Sequence, residues 1–434
     1  MSIRRVVTIP MYVGPLLALL AGLLGVLLAR SARAAETSQD SLTPLGRLLN
    51  SDGTLNLSNG SSGALDPAGW YMEYAPDGAP IFKPANEPAA PLPPGKEWHA
   101  LGSGLNDRVE AIAVAGAGVY VGGYFTDAGG DANADNVARW DGSAWHPLGS
   151  GLNDTVFAIA VAGSDVYVGG RFTDAGGDAS ADCIARWDGS AWHALGSGLY
   201  GYVQAIAVAG GNVYVGGWFA DAGGDAGADN IARWDGSAWH ALGSGLNNDV
   251  NAIAVAGTDV YVGGVFTDAG GDAGADYVAR WDGAAWHSLG SGLNSYVEAI
   301  AVADSDVYVG GGFATGGGNT YVTRWDGAAW HPLGSGLNDQ VRAIAVAGAD
   351  LYVGGDFTGA GGDSGADFVA HWDGSAWHPL GSGLNDRVYT IAVGGENAYV
   401  GGRFTDAGGD ASADRIARWG PPVWHVYLPL VLRQ

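Results

Sequence analysis

The fold class predicted by this sequence is a seven-bladed β-propeller of four-stranded antiparallel blades, and three observations predict it. The first is a repeat. The unit Leu101 to Pro147 opens on LGSGL, and that opening returns at Leu148, Leu195, Leu242, Leu289, Leu333 and Leu380, each step being 47 residues except one of 44. A fixed period of this size marks stacked or radial repeats. The second is that every unit holds four short strand-forming runs broken by turn signals, with no helical periodicity. The third is a tryptophan pair: 15 of the 17 Trp fall at the Trp140 position or in Trp-His dipeptides, flanking one short turn in each copy. Four strands in seven copies close most simply as a ring of blades.

In the first copy the strands are expected over Val109 to Ala115, Val119 to Thr126, Val137 to Trp140 and Ala144 to Leu148. The first runs into the turn as AIAVAGA (111–117), small enough to crowd round an axis, whereas the fourth carries Trp-His, bulky enough to fill the gap where blades splay. The middle strands are apolar on both faces, as sheets covered on both sides are. Trp140 and Trp145 should face each other across their hairpin. Arg139 and Asp141 recur in register with them and read as structural contacts between blades. Eight Trp-His strands serve seven sets of the other three, so one is surplus. WHALGSGL at 98–105 keeps the full connector and reads as the strand that closes the ring on the last blade; otherwise the tail GPPVWHVYLPLVLRQ completes its own blade.

Residues 1–34 combine Arg4 and Arg5, an apolar run from Met11 to Ala29 and an Ala32-Arg33-Ala34 end, the pattern of a secretory signal peptide, with an uncleaved membrane anchor as the alternative. Residues 35–97 read as a spacer, with hairpins at Asp52-Gly53 and Asp77-Gly78 and a Pro/Ala linker; 98–425 is the propeller and 426–434 a tail. A secreted or cell-surface, monomeric protein follows from this reading. The net charge of −25, more negative still once the leader's four Arg are removed, argues against nucleic acid and against an anionic membrane surface. Any membrane contact would run through the N-terminal segment. The single cysteine, Cys183, leaves stability to the core.

The repeat VYVGGYFT…VARWDGSAWHPLGSGL resembles a kelch repeat, with an apolar strand ending in Gly122-Gly123 and two spaced aromatics, Trp140 and Trp145. It is closer still to the GG-x-F-T, ARWDG and LGSGL propeller repeats of fungal cortical polarity-marker proteins and related bacterial secreted proteins. The resemblance covers about three quarters of the chain and implies the propeller, but no activity, since such propellers serve as binding scaffolds and as oxidases. The copper site of the oxidases needs a Cys-modified Tyr and inward His ligands, whereas eight of the nine His here sit in Trp-His strands and His371 replaces a repeat Arg. HExxH, GxSxG, P-loop and paired metal-Cys motifs are absent, so no enzyme is expected.

Two sets of candidate residues remain. The acidic loop Asp127, Asp131, Asp135 recurs as Asp174/Asp178/Asp182, Asp221/Asp225/Asp229, Asp268/Asp272/Asp276 and Asp406/Asp410/Asp414, with Asp363 and Asp367 kept in the sixth copy. It offers oxygens to calcium, the one cofactor considered, although its spacing is that of no known calcium loop and Asp favours turns on its own account. The second set lies where near-identical copies differ. After LGSGLN come Arg108, Thr155, Tyr202, Asp249, Tyr296, Gln340 and Arg387; two residues on come Glu110, Phe157, Gln204, Asn251, Glu298, Arg342 and Tyr389. Following Gly-Gly come Tyr124, Arg171, Trp218, Val265, Gly312, Asp356 and Arg403, and opening the third strand Asn136, Cys183, Asn230, Tyr277, Tyr321, Phe368 and Arg415. A turn centred on Ala117 places residue 110 opposite 124, so all four series should meet on the acidic-loop face. Their aromatics suit sugars or a protein partner. The expected function is therefore non-catalytic binding of carbohydrate or protein at the cell surface. The alternatives are a structural or adhesive scaffold, and an enzyme with a carboxylate site in the axial channel.

Overall fold

The computed structural model describes residues 95–314, 320–363 and 365–422, together with the backbone of short strands on either side of that span. The chain divides into two units, Met1–Gly95 with Pro422–Gln434, and Lys96–Pro421.

The second unit is seven four-stranded antiparallel sheets. In the first blade the strands are Val109–Ala115, Gly118–Gly123, Val137–Trp140 and Trp145–Pro147, and the same order recurs in each blade from the inner to the outer strand. The last blade is completed by Glu97–Ala100, whose Trp98 pairs with Trp419 and His99 with Arg418. Closure is therefore N-terminal.

Each outer Trp ties its blade to the one before. Trp145 Nε1 donates to the Leu101 carbonyl at 3.1 Å, and Trp192, Trp239, Trp286, Trp330 and Trp377 repeat the bond to Leu148, Leu195, Leu242, Leu289 and Leu333. Trp98 to Leu380 at 3.0 Å completes the set at the closure. Within blades the expected Trp pairs form, with Trp140 and Trp145 centroids 5.3 Å apart and tilted by 56°. Such pairs contribute about 0.5–1.5 kcal/mol beyond burial.

Arg139 and Asp141 work within blades, a correction to the inter-blade expectation. Arg186 Nη1 lies 2.9 Å from Asp165 Oδ2 on the adjacent strand of its own sheet, as do Arg280 and Asp259. Asp326 Oδ1 accepts the backbone N–H groups of Ala328 and Ala329, while Oδ2 meets His331 Nε2 at 2.6 Å. These backbone donors, then His331, hold Asp326 below the ordinary aspartate value of 3.8, at about 2. A carboxylate with a depressed folded-state pKa stabilises above its ordinary value and loses that contribution as pH falls through the folded one. Melting temperature is thus expected to fall between about pH 4 and pH 2, and Asp326→Asn to fall less steeply there; equal slopes in a pH-melting series would refute the link.

The other unit contains three two-stranded ladders: Val7–Pro10 with His425–Leu428, Thr43–Pro44 with Leu65–Asp66, and Trp70–Tyr74 with Pro80–Pro84. The last brackets Asp77-Gly78, as expected. The signal-peptide, Asp52-Gly53 hairpin, linker and tail readings otherwise fall outside the described residues. Among the described residues no helix is long and apolar enough to cross a membrane.

Candidate ligand site at the channel mouth

The repeating Gly-Gly shapes this end of the ring. A side chain on Gly122 would run into Val156 of the next blade, and one on Gly123 into the Arg108 carbonyl. Tyr124 N–H donates to that carbonyl at 3.1 Å, so residue 124 lies opposite 108. This corrects the expected pairing of 124 with 110. The turn is Gly116-Ala117 alone, and every inner strand carries a β-bulge, in the first blade between Val109 and Ala111. The residue inside the bulge is left without a cross-strand partner and is re-aimed.

The variable positions therefore sort into three layers. Bulge residues Glu110, Phe157, Gln204, Arg342 and Tyr389 line a cavity of about 270 Å³ at the mouth of the axial channel. Arg108, Tyr202 and Tyr296, opposite Tyr124, Trp218 and Gly312, form a rim around it. The third series departs from expectation and fills seams instead. Asn136 donates to Leu152 O at 2.8 Å and Cys183 to Gly201 O, and every residue of this series has positive φ. Burial pushes the Cys183 thiol up to about 11.

The rim and mouth have two characters. Across blades one to three runs an aromatic arc: Tyr124 to Phe157 at 6.2 Å, Phe157 to Tyr202 at 6.4 Å, and Tyr202 stacked on Trp218 at 5.5 Å and 27°. The Arg108 guanidinium sits 3.7 Å over Tyr124 and 3.0 Å from Glu110. On the other side, Arg342 grips Asp356 with two bonds of 2.7 and 3.0 Å, and Gln340 links Asp356 to the Tyr296 hydroxyl. Burial opposes the Asp356 charge, but Arg342 and Gln340 outweigh it and keep its pKa low. Burial raises Glu110 and Glu298 above the usual carboxylate range, with Arg108 and Arg342 opposing at Glu110 and Arg342 at Glu298.

Blade three departs from the repeat. Elsewhere an Asn after LGSGL bonds the segment following Gly-Gly, as Asn106 does with Thr126 at 2.9 Å. Here Tyr200 and Ala220 replace that pair, and the inner strands lengthen to Tyr200–Ala209 and Asn212–Ala220. Tyr200 is 86% exposed and Trp218 53%, the two exposed large hydrophobic side chains among the described residues. Tyr200 was not among the expected site residues; the signal was the lost Asn in a motif otherwise constant.

The acidic loops surround the mouth, but their carboxylates serve turns. Asp135 Oδ1 accepts the Asp127 N–H at 2.9 Å and Asp131 Oδ1 the Asn133 N–H at 3.0 Å. Among the described residues no three His, Cys, Asp or Glu side chains are grouped to hold a metal ion. A second, larger cavity of about 440 Å³ is lined by turns of blades six and seven. Its Tyr352 is already engaged by Lys96, whose Nζ donates to the Tyr352 hydroxyl at 3.3 Å and lies 5.9 Å over its ring.

The WD40 propeller domain of Doa1 superposes on this chain with a TM-score of 0.50 at 14% identity, covering 75% of this chain and 96% of that one. This chain is a seven-bladed β-propeller. Two other solved structures are similar over comparable spans: the designed protein Ika8 (17% identity, 73% of this chain and 97% of that one, TM-score 0.45) and a chain of a mitotic checkpoint complex (14%, 77% and 96%, 0.47). No family model matches the propeller, and no curated protein does. At such identities the likeness concerns fold alone.

Proposed function

We propose that this propeller is a secreted or cell-surface module of kelch-type repeats, monomeric and without catalysis of its own, that binds a carbohydrate at its channel mouth. The observation that carries the reading is the arc Tyr124–Phe157–Tyr202–Trp218, which ends in an indole more than half exposed, on the blade that breaks the repeat. A flat aromatic face open to water, with polar groups around it, suits the C–H face of a sugar ring. The mouth groups Glu110 and Gln204 supply polar partners beside it, and no cofactor enters the proposal.

Binding to a panel of soluble glycans tests it, by affinity electrophoresis of the wild type and Trp218→Ala. Trp218→Ala should weaken retention about tenfold, or ~1.4 kcal/mol, with an unchanged melting temperature. Retention of no glycan, or equal retention of the variant, would sink the reading; capture of a protein ligand alone would favour protein recognition. Glu110 and Glu298, both raised by burial, favour a second reading in which the channel carboxylates are catalytic. Cleavage products in the same glycan mixtures would favour that one.

A further inference from the structure

The basic residues of the propeller are distributed in a way its overall charge does not suggest. Between residues 96 and 421 there are 13 Lys and Arg. Six are the repeating third-strand Arg, and one is Lys96. Five of the others, Arg108, Arg171, Arg342, Arg387 and Arg403, occupy rim or bulge positions at the mouth, and Arg415, from the seam-filling series, bonds the Arg403 carbonyl. They fall on consecutive blades, the sixth, seventh, first and second, and none is on blades three to five.

Acidic partners do not use up this charge. Glu110 takes Arg108, and Asp356 is held by Arg342 and Gln340, with Arg387 3.5 Å from an oxygen they already occupy. Arg415 donates to the Arg403 carbonyl. Arg171 and Arg403 are exposed, and their guanidinium groups make no hydrogen bond or ion pair to a described residue. In a chain of net charge −25 this arc is a local concentration of one sign, whose exposed guanidinium groups attract an anion that the rest of the surface repels. Guanidinium groups are suited to carboxylates through paired N–H donors. The Arg arc overlaps the aromatic arc at blades one and two, so one elongated ligand reaches both.

We infer that the ligand of this mouth is an acidic polysaccharide, a uronate chain whose carboxylates meet Arg171, Arg387 and Arg403 while a sugar ring lies on Tyr202 and Trp218. The inference rests on the carbohydrate reading above. Its test is isothermal titration of the full chain with uronate hexamers (galacturonate, mannuronate and guluronate), with neutral hexamers made by reducing their carboxylates, and with hexaglutamate. At 20 mM NaCl at least one uronate should bind ten or more times tighter than its neutral counterpart, and 500 mM NaCl should erase most of that advantage by screening. Arg171→Ala with Arg403→Ala should remove it too, without changing the melting temperature or binding of the neutral hexamer. Equal, salt-insensitive binding of acidic and neutral hexamers would overturn the acidic ligand and leave the carbohydrate reading standing. Binding of no hexamer would overturn both. Hexaglutamate binding as tightly as the best uronate, and unaffected by Trp218→Ala, would identify an acidic peptide instead.

Discussion

Trp98→Ala is expected to lower the stability of the whole ring by about 3 kcal/mol, read as a shift of the urea midpoint at unchanged slope. Trp98 stands in the strand that closes the last blade, 5.2 Å from Trp419, and its indole N–H bonds the Leu380 carbonyl. Its removal leaves that carbonyl without its donor and opens a space beside Trp419 and Gly408, which packs against the Trp98 ring. The same substitution in an internal outer strand, Trp239→Ala, removes an equivalent bond but no closure. The closing strand also pairs the two ends of the ring, so its loss frees the edge Ile416–Gly420 and exposes an unpaired strand. A midpoint that stays in place would show that the ring is closed by something other than this strand.

The second large effect concerns glycine. Gly263→Val is expected to cost about 3 kcal/mol, because the added carbons fall on Val297 of the following blade. The contact repeats round the ring and includes Gly401 against Val109 across the closure, so the blades can approach only where that position has no side chain. The double variant Gly263→Val with Val297→Ala should recover part of the loss, since the two residues share one space. Additive losses in a double-mutant cycle would mean that the cost lies in the backbone of Gly263 instead.

Much of this fold was legible in the chain itself. The period, the four strand signals and the Trp pairs are local or strictly repeated features, and a repeat reports its own packing because each copy meets the same neighbours. N-terminal closure was favoured by a surplus Trp-His strand that kept its connector, but the tail stayed open as an alternative until the structure paired Trp98 with Trp419. The site was legible only in part. Comparing copies found the positions that vary, but the direction of their side chains depends on a bulge that no residue pattern announced. One residue of register moved Glu110 and its equivalents from the rim into the channel mouth and paired Tyr202 with Trp218.

The sequence by itself determined an all-β repeat protein with seven blades and the identity of the variable residues, and it named two candidates for the closing strand. Tertiary structure alone decided which of those residues face the channel mouth, which fill seams between blades, as Cys183 and Phe368 do, and how the arginines gather on one arc. The physical reason is that strand order and burial follow from local pattern. Convergence of side chains from seven blades follows from the radial geometry, which brings together residues some 47 positions apart whatever their types.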